Sequence, residues 1–253
     1  MGSSGALPVM VQGLWRTLLS MPFENLSKIV KYRRVDGDSR AALREPGEVW
    51  SDHLRLGTGG TCFALTYWLW AEMCGKVPGL RLCLADRHYG EGTHACILLE
   101  VAGALQILDA GYLFHGPLPP AGEERVFTCA PNPNSIRIVH RAPGRYEVGT
   151  SSGGDWVYRY LLNDRSVADD EYRRFWEKTF TQEMMGYPVL NRIADGEWVY
   201  LQKRRLYVGR GSQRTGCEVR SSQLAGVIGK HYGINPVFVL EALSSMGEGR
   251  DLI

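Results

Sequence analysis

The run Cys62 to Cys74, CFALTYWLWAEMC, is apolar on every side of a helix apart from Glu72. A helix without a polar face has to be enclosed by the rest of its chain. It falls well short of the roughly 20 apolar residues a membrane-spanning helix needs, so it reads as a buried helix around which other elements must pack. The 253 residues and 44% hydrophobic content supply material for one large domain or two to three small ones.

Texture divides the chain around that helix. Val11 to Ser20 has apolar residues at helical spacing, and a second helical segment is expected after Pro22. From about Leu80 the pattern changes to short alternating or continuous apolar runs, LRLCLA, HACILLEV, LQILDAGYLF, SIRIVH and WVYRYLL, broken by Gly, Pro and Asn clusters. These predict antiparallel strands. Helical texture returns at Asp169 to Glu183, where Asp169 and Asp170 suit the positive end of a helix. After Pro188 the runs VLNRIA, EWVYLQ and RRLYVG read as strands, with Asp195-Gly196 as a turn, and Ser221 to Tyr232 as a helix closed by Gly233. The expected class is α+β in four parts: a helical part over 1–80, antiparallel β over 81–168, a linking helix over 169–187 and a small α/β unit over 188–253.

A formal charge of +2 is too mild to draw nucleic acid or a membrane by long-range electrostatics, so neither is expected as a partner. Six cysteines are scattered with no C-x-x-C pair, which supports neither a zinc site nor a redox motif, and no metal is expected. The N-terminal MGSSGALPVM has no basic n-region and no apolar h-region. A cytoplasmic setting with reduced thiols is the expectation.

One of those thiols stands apart. Gly57-Thr58-Gly59-Gly60-Thr61-Cys62 is a glycine turn that delivers a cysteine onto the first turn of the buried helix. Unpaired N–H groups and the partial positive charge there favour a thiolate. The bland alternative, a small buried hydrophobe after an ordinary loop, is the commoner fate of a free cysteine. A thiolate nucleophile requires a base, and the base a group that holds its tautomer. Of the six histidines only His94 opens a long apolar strand, HACILLEV, and LQILDAGY follows after one short turn. With a two-residue turn at Ala102-Gly103, Val101 faces Ala104 and Cys96 faces Asp109, which makes His94 and Asp109 diagonal neighbours on one face. A three-residue turn would send Asp109 to the other face. An Asp inside an apolar strand is costly to bury without a partner.

Pro22-Phe23-Glu24-Asn25-Leu26, Gly-Gly-x-Cys at 59–62, His94 and then Asp109-Ala110-Gly111 resemble, in order and approximate spacing, the arylamine N-acetyltransferases. The resemblance covers nearly the whole chain. It implies a helical bundle carrying the nucleophile, a central antiparallel β-barrel and a C-terminal α/β lid, the cysteine-protease-like architecture of that family. It implies Cys62 as nucleophile, His94 as base and Asp109 as the group orienting His94, with backbone N–H groups near Cys62 for the oxyanion. The implied chemistry is ping-pong transfer of an acetyl or other short acyl group from acetyl-CoA or another acyl-CoA, through a Cys62 thioester, to a small-molecule amine such as an arylamine or hydrazine.

The resemblance also places Phe23 and Tyr112 near the substrate, although Phe23 alone reads first as a core residue. The family pattern is departed from at Thr58 (usually Arg), at Ala64 and Thr66 (often Glu or Gln, then Asn) and at Leu113 after Tyr112 (usually Gly). Lys203, Arg204, Arg205, Arg210 and Arg214 read as a solvated strand face, with reception of coenzyme A phosphates as the alternative. Two other functions fit the same residues: an amide synthase or transglutaminase-like hydrolase using the triad, with an acyl-carrier thioester as donor for the former, and a non-catalytic ligand-binding family member.

Overall fold

The computed structural model describes residues 6–128, 131–210 and 213–246; Cys129 lies outside them. Helices α1 (Val9–Ser20), α2 (Leu26–Arg34), α3 (Pro46–Leu56) and α4 (Cys62–Met73) form the first part, with a two-residue strand β1 (Phe23–Glu24) between α1 and α2. The apolar helix is enclosed as its composition demands, every residue from Cys62 to Leu69 being buried.

Eight antiparallel strands follow: β2 (Leu80–Arg87), β3 (Gly90–Val101), β4 (Ala104–Asp109), β5 (Phe114–Pro117), β6 (Glu124–Thr128), β7 (Ser135–Ala142), β8 (Arg145–Ser151) and β9 (Val157–Asn163). Their order is β5-β4-β3-β2-β9-β8-β7-β6. The sheet curls until its edges meet, for a Cβ placed on Gly116 of β5 would lie 2.4 Å from the ring of Phe127 on β6. Cys96, Leu98, Ile107, Ile138, Val148 and Tyr160 fill this barrel-like interior. The alternate residues of β3, Ala95, Ile97 and Leu99, join the core shared with α4. The expected single strand LQILDAGYLF is interrupted: β4 stops at Asp109, and the chain turns through Leu113 at φ 56° before β5.

The linking helix is α5 (Asp169–Lys178), shorter than the expected span to Glu183 and followed by 3-10 turns at Thr179–Thr181 and Glu183–Gly186. Buried Lys28 donates to the Thr179 carbonyl at 2.8 Å and so occupies an acceptor that a continuing helix would use. The last part comprises β10 (Val189–Ala194), β11 (Glu197–Gln202), β12 (Arg205–Arg210), β13 (Gln213–Glu218), α6 (Leu224–Tyr232) and α7 (Pro236–Ser245). Its sheet runs β1-β10-β11-β12-β13, and its core takes in Leu26 and Val30 of α2. Packing therefore crosses the expected division at residue 188, because β1 and α2 belong to the C-terminal layer. None of the helices among the described residues is long and apolar enough to cross a membrane.

Candidate active site

The loop before α4 is held from both sides. A Cβ on Gly59 would lie 2.0 Å from the Pro22 carbonyl oxygen, so this approach of two backbone segments requires glycine. Glu24 Oε1 accepts from Gly59 N at 3.2 Å, and Glu24 N donates to Gly60 O at 3.0 Å. From the other side Arg44 donates through Nη1 to Gly59 O at 2.6 Å and to Ser27 Oγ at 2.7 Å, while Nη2 pairs with Asp52 at 3.1 Å. Thr58, where the resembled pattern has Arg, is buried with a hydroxyl lacking a partner, and the guanidinium in this loop comes from Arg44 instead. The same PFENL segment anchors the linker and the lid. Asn25 donates to Met184 O and Tyr187 O at 2.6 and 2.8 Å and accepts from Val189 N at 2.9 Å.

Thr61 precedes α4 in extended conformation without a side-chain cap, so the first-turn N–H groups beside Cys62 are left to other acceptors. Ala64 is buried in the core behind, and the Thr66 hydroxyl donates to Ala95 O at 3.3 Å, tying the helix to β3.

The hairpin that carries His94 has the two-residue turn. Val101 pairs with Ala104 and Ile97 with Leu108. Ala102 at φ 49° and Gly103 at φ 77° are both left-handed, as a type I′ turn requires. His94 and Asp109 accordingly share the inward face, both fully buried, with His94 Nε2 2.9 Å from Asp109 Oδ2. Every lone pair the carboxylate needs to place is used. Tyr160 of β9 donates its hydroxyl to Oδ2 at 2.6 Å, and Gly111 N and Tyr112 N donate to Oδ1 at 2.8 and 3.0 Å. Gly111 is where the three residues converge. A Cβ there would lie 2.7 Å from His94 Cε1, 3.2 Å from Cys62 Cβ and 3.3 Å from Asp109 Oδ1.

Electrostatics separates Cys62 from its fellows. Burial opposes its thiolate, but the charge of His94 and that of Arg87 outweigh burial and hold the thiol below its ordinary value. Burial pushes Cys83 up to about 12 and Cys96 well above its ordinary value. The five described cysteines are all free thiols. Burial also works against the Asp109 carboxylate, and His94, Tyr160 and the Tyr112 N–H together still hold it low. For His94, burial and Arg87 disfavour the imidazolium, whereas Asp109 and the Cys62 sulfur favour it and prevail.

Arg87, the last residue of β2, gave no signal in the sequence, nor did Tyr160. Its Nη2 lies 2.9 Å from His94 Nδ1 and its Nη1 2.7 Å from the Tyr89 hydroxyl. A guanidinium only donates, so this contact belongs to a neutral His94 whose Nε2 carries the proton toward Asp109 and whose Nδ1 is the free lone pair. Pairing of a Cys62 thiolate with an imidazolium needs a proton on Nδ1. The two arrangements exclude each other.

A cleft of about 1440 Å³ lies beside these groups, reaching Arg87, Gly111 and Tyr112 and lined among others by Phe23, Arg159 and Tyr200. Phe23, 7% exposed, belongs both to the core and to this wall, and Tyr112 sets its ring edge-on to His94 with centroids 5.6 Å apart. The basic lid stretch is spread out: Arg204 pairs with Glu218 at 2.8 Å and Arg210 with Glu197, while Arg214 lies over the Tyr207 ring at 4.2 Å. Among the described residues no group of His, Cys, Asp and Glu is arranged to hold a metal ion.

No protein-family model and no curated protein sequence matches this chain. Solved structures do. The arylamine N-acetyltransferase from Mycobacterium abscessus superposes with a TM-score of 0.76 at 16% identity over 98% of this chain and 90% of its own. That of Mycobacterium marinum, solved in complex with CoA, gives 0.76 at 15% identity over 100% and 95%. A Bacillus cereus arylamine N-acetyltransferase described as having a Cys-His-Glu catalytic triad gives 0.68 at 15% identity over 92% and 93%. The chain has the fold these enzymes share.

Proposed function

We propose that this chain, which has the arylamine N-acetyltransferase fold, is a cysteine-dependent acyltransferase of that family, carrying acyl groups as a thioester on Cys62. The observation that carries this reading is the convergence of Cys62, a buried His94 and a fully hydrogen-bonded Asp109 around Gly111, a residue that itself lines the cleft.

The geometry supports the following roles. Cys62 sulfur attacks the carbonyl carbon of an acyl-CoA, its proton passing to His94 Nδ1. The new S–C bond replaces that to coenzyme A, whose leaving thiolate recovers the proton. An amine then attacks the Cys62 thioester, gives its proton to His94 and releases the Cys62 thiolate. Asp109 holds Nε2–H throughout, so that Nδ1 stays the working nitrogen. The first-turn N–H groups of α4 are the donors available to the oxyanion. Phe23 and Tyr112 form the wall against which the acceptor sits. Reduced cytoplasm suits a free thiol of this kind.

Incubation with acetyl-CoA, propionyl-CoA and butyryl-CoA followed by intact-mass measurement tests the reading. One acyl group should add to the wild-type chain, be discharged by an aromatic amine or hydrazine, and fail to add to Cys62→Ala. Absence of an adduct with every donor, or its persistence in Cys62→Ala, removes the proposal.

A further inference from the structure

We infer that the cleft recognises a carboxylate on one of the two substrates, and that Arg87, assisted by Arg159, is the residue that binds it. The inference rests on the acyl-transfer reading and adds a substrate class to it.

Charge is the first observation. Arg44, Arg137, Arg141, Arg165, Arg173 and Arg210 each pair with a carboxylate. Arg87 and Arg159 both line the cleft, and among the described residues neither forms an ion pair. Arg87 hydrogen-bonds to His94 and Tyr89 and lies over the Tyr112 ring at 5.8 Å, and Arg159 donates through Nε to Thr150 Oγ1 at 2.7 Å. The acids of the cleft, Glu91, Asp155 and Glu183, are exposed, and Glu183 is paired with Lys203. A cation drawn out of water without an anion is costly, and a ligand that supplies the anion recovers that cost.

Unmet hydrogen bonds are the second. Three buried polar atoms without a partner, Arg87 Nε, Asn191 Oδ1 and Trp198 Nε1, belong to residues that line this one cleft. Buried polar atoms are as a rule satisfied, and exceptions gathered in a cavity wall mark ligand contacts. The planar fork of a guanidinium, with Nε still unspent, matches the two oxygens of a carboxylate. The same cleft carries stacked rings, Trp198 on Tyr200 with centroids 5.9 Å apart and Tyr200 on Tyr207 at 6.3 Å, with Arg214 lying over Trp198 and Tyr207.

The two cations act on the same place. Burial raises the Tyr112 and Tyr200 hydroxyls, and Arg87 and Arg159 both work against that rise at each of them. Recognition is also tied to reactivity, since Nη2 of Arg87 occupies the lone pair of His94 Nδ1 that has to take the Cys62 proton. A carboxylate that draws the guanidinium toward itself frees the base when the substrate is in place.

The carboxylate has two possible bearers, the acyl group or the amine, and matched pairs separate them. Release of coenzyme A is followed with succinyl-CoA against butyryl-CoA as donors, and acyl discharge with 4-aminobenzoate against its methyl ester as acceptors. In at least one pair kcat/KM favours the anion by about 10-fold or more, a difference of about 1.4 kcal/mol, and Arg87→Met brings that ratio to within about 2-fold. The donor pair responding assigns the carboxylate to the acyl group, and the acceptor pair assigns it to the amine. Should Arg87→Met not fold by circular dichroism, Arg159→Met decides by the same ratio. Equal treatment of both pairs by the wild type, or a preference that survives both substitutions, overturns the inference while leaving acyl transfer intact. No turnover and no mass gain with any donor overturns both.

Discussion

Asp109→Asn changes one atom and should silence Cys62. In the wild type Oδ1 accepts two backbone N–H groups, from Gly111 and Tyr112 at 2.8 and 3.0 Å, and Oδ2 accepts from His94 Nε2 and the Tyr160 hydroxyl at 2.9 and 2.6 Å. An asparagine carbonyl must take the Oδ1 place, because backbone N–H groups cannot turn into acceptors. Its NH2 then faces Nε2 and can only donate, which forces the His94 proton onto Nδ1. That nitrogen faces the Arg87 guanidinium, and in the proposed mechanism it is the one that receives the Cys62 proton. A triad trapped in the wrong tautomer loses about 10⁴ in rate, or roughly 5.5 kcal/mol at 1.36 kcal/mol per tenfold. The same lock removes the incentive for a thiolate. Alkylation of Cys62 by iodoacetamide, followed by peptide mass across pH 5 to 10, should therefore shift its midpoint upward in Asp109→Asn, with acylation by acetyl-CoA falling by about 10³ or more. Retained circular dichroism and melting temperature would show that the fold is intact. A variant that folds and acylates within about 10-fold of wild type would refute the tautomer argument.

Gly111→Ala places a methyl 2.7 Å from His94 Cε1, so the ring must move; displacement of that order costs about 100-fold in turnover, read in kcat, with melting little changed. Lys28, buried without a carboxylate, is lowered to about 7 mainly by burial, with the Cys62 charge opposing. The folded chain has then shed a proton that the unfolded chain still holds between about pH 7 and 10.5, so stability rises with pH across that window and the cost of the buried charge is full below it. Lys28→Met should flatten this rise by on the order of a few kcal/mol, measured by urea unfolding at pH 6.5 and 9.5. Arg44→Met leaves Gly59 O and Ser27 Oγ without their buried donor and takes from Asp52 one of its two guanidinium partners, Arg55 remaining, and should cost on the order of 3 kcal/mol, seen as a lower urea midpoint together with slower Cys62 alkylation.

What was legible in the chain is what local rules decide. The helix at Cys62 is buried because no face of it is polar, and the β3–β4 register follows from Ala102-Gly103 closing a two-residue turn, which alone puts His94 and Asp109 on one side. The strand break after Asp109 was missed because the apolar pattern runs on through Tyr112, Leu113 and Phe114, while the Asp109 side chain turns the backbone onto itself. β6 and β13 were missed because they are largely exposed and carry no apolar alternation. β1 escaped because two residues define no period, and its pairing partner lies in the last part of the chain. Arg44, Arg87 and Tyr160 could not be singled out, since each matters through a contact made by folding rather than by spacing. Phe23 reads as either core or wall, and a side chain at the edge of a cavity is both.

The pairing of β1 with β10 sets the order in which a newly made chain can mature. Asn25 waits for acceptors 159 and 162 residues later, and Phe23 for Asn191 across the sheet. A ribosome must therefore release most of the polypeptide before the segment that clamps Gly59 and Gly60 gains its sheet partner, so the loop ahead of Cys62 receives its full support late although its codons are read early. A chain stopped just before β10 would carry Cys62, His94, Asp109 and Tyr160 but lack the strand that pairs with Phe23 and Glu24, and so the outer support of the loop at Gly59 and Gly60.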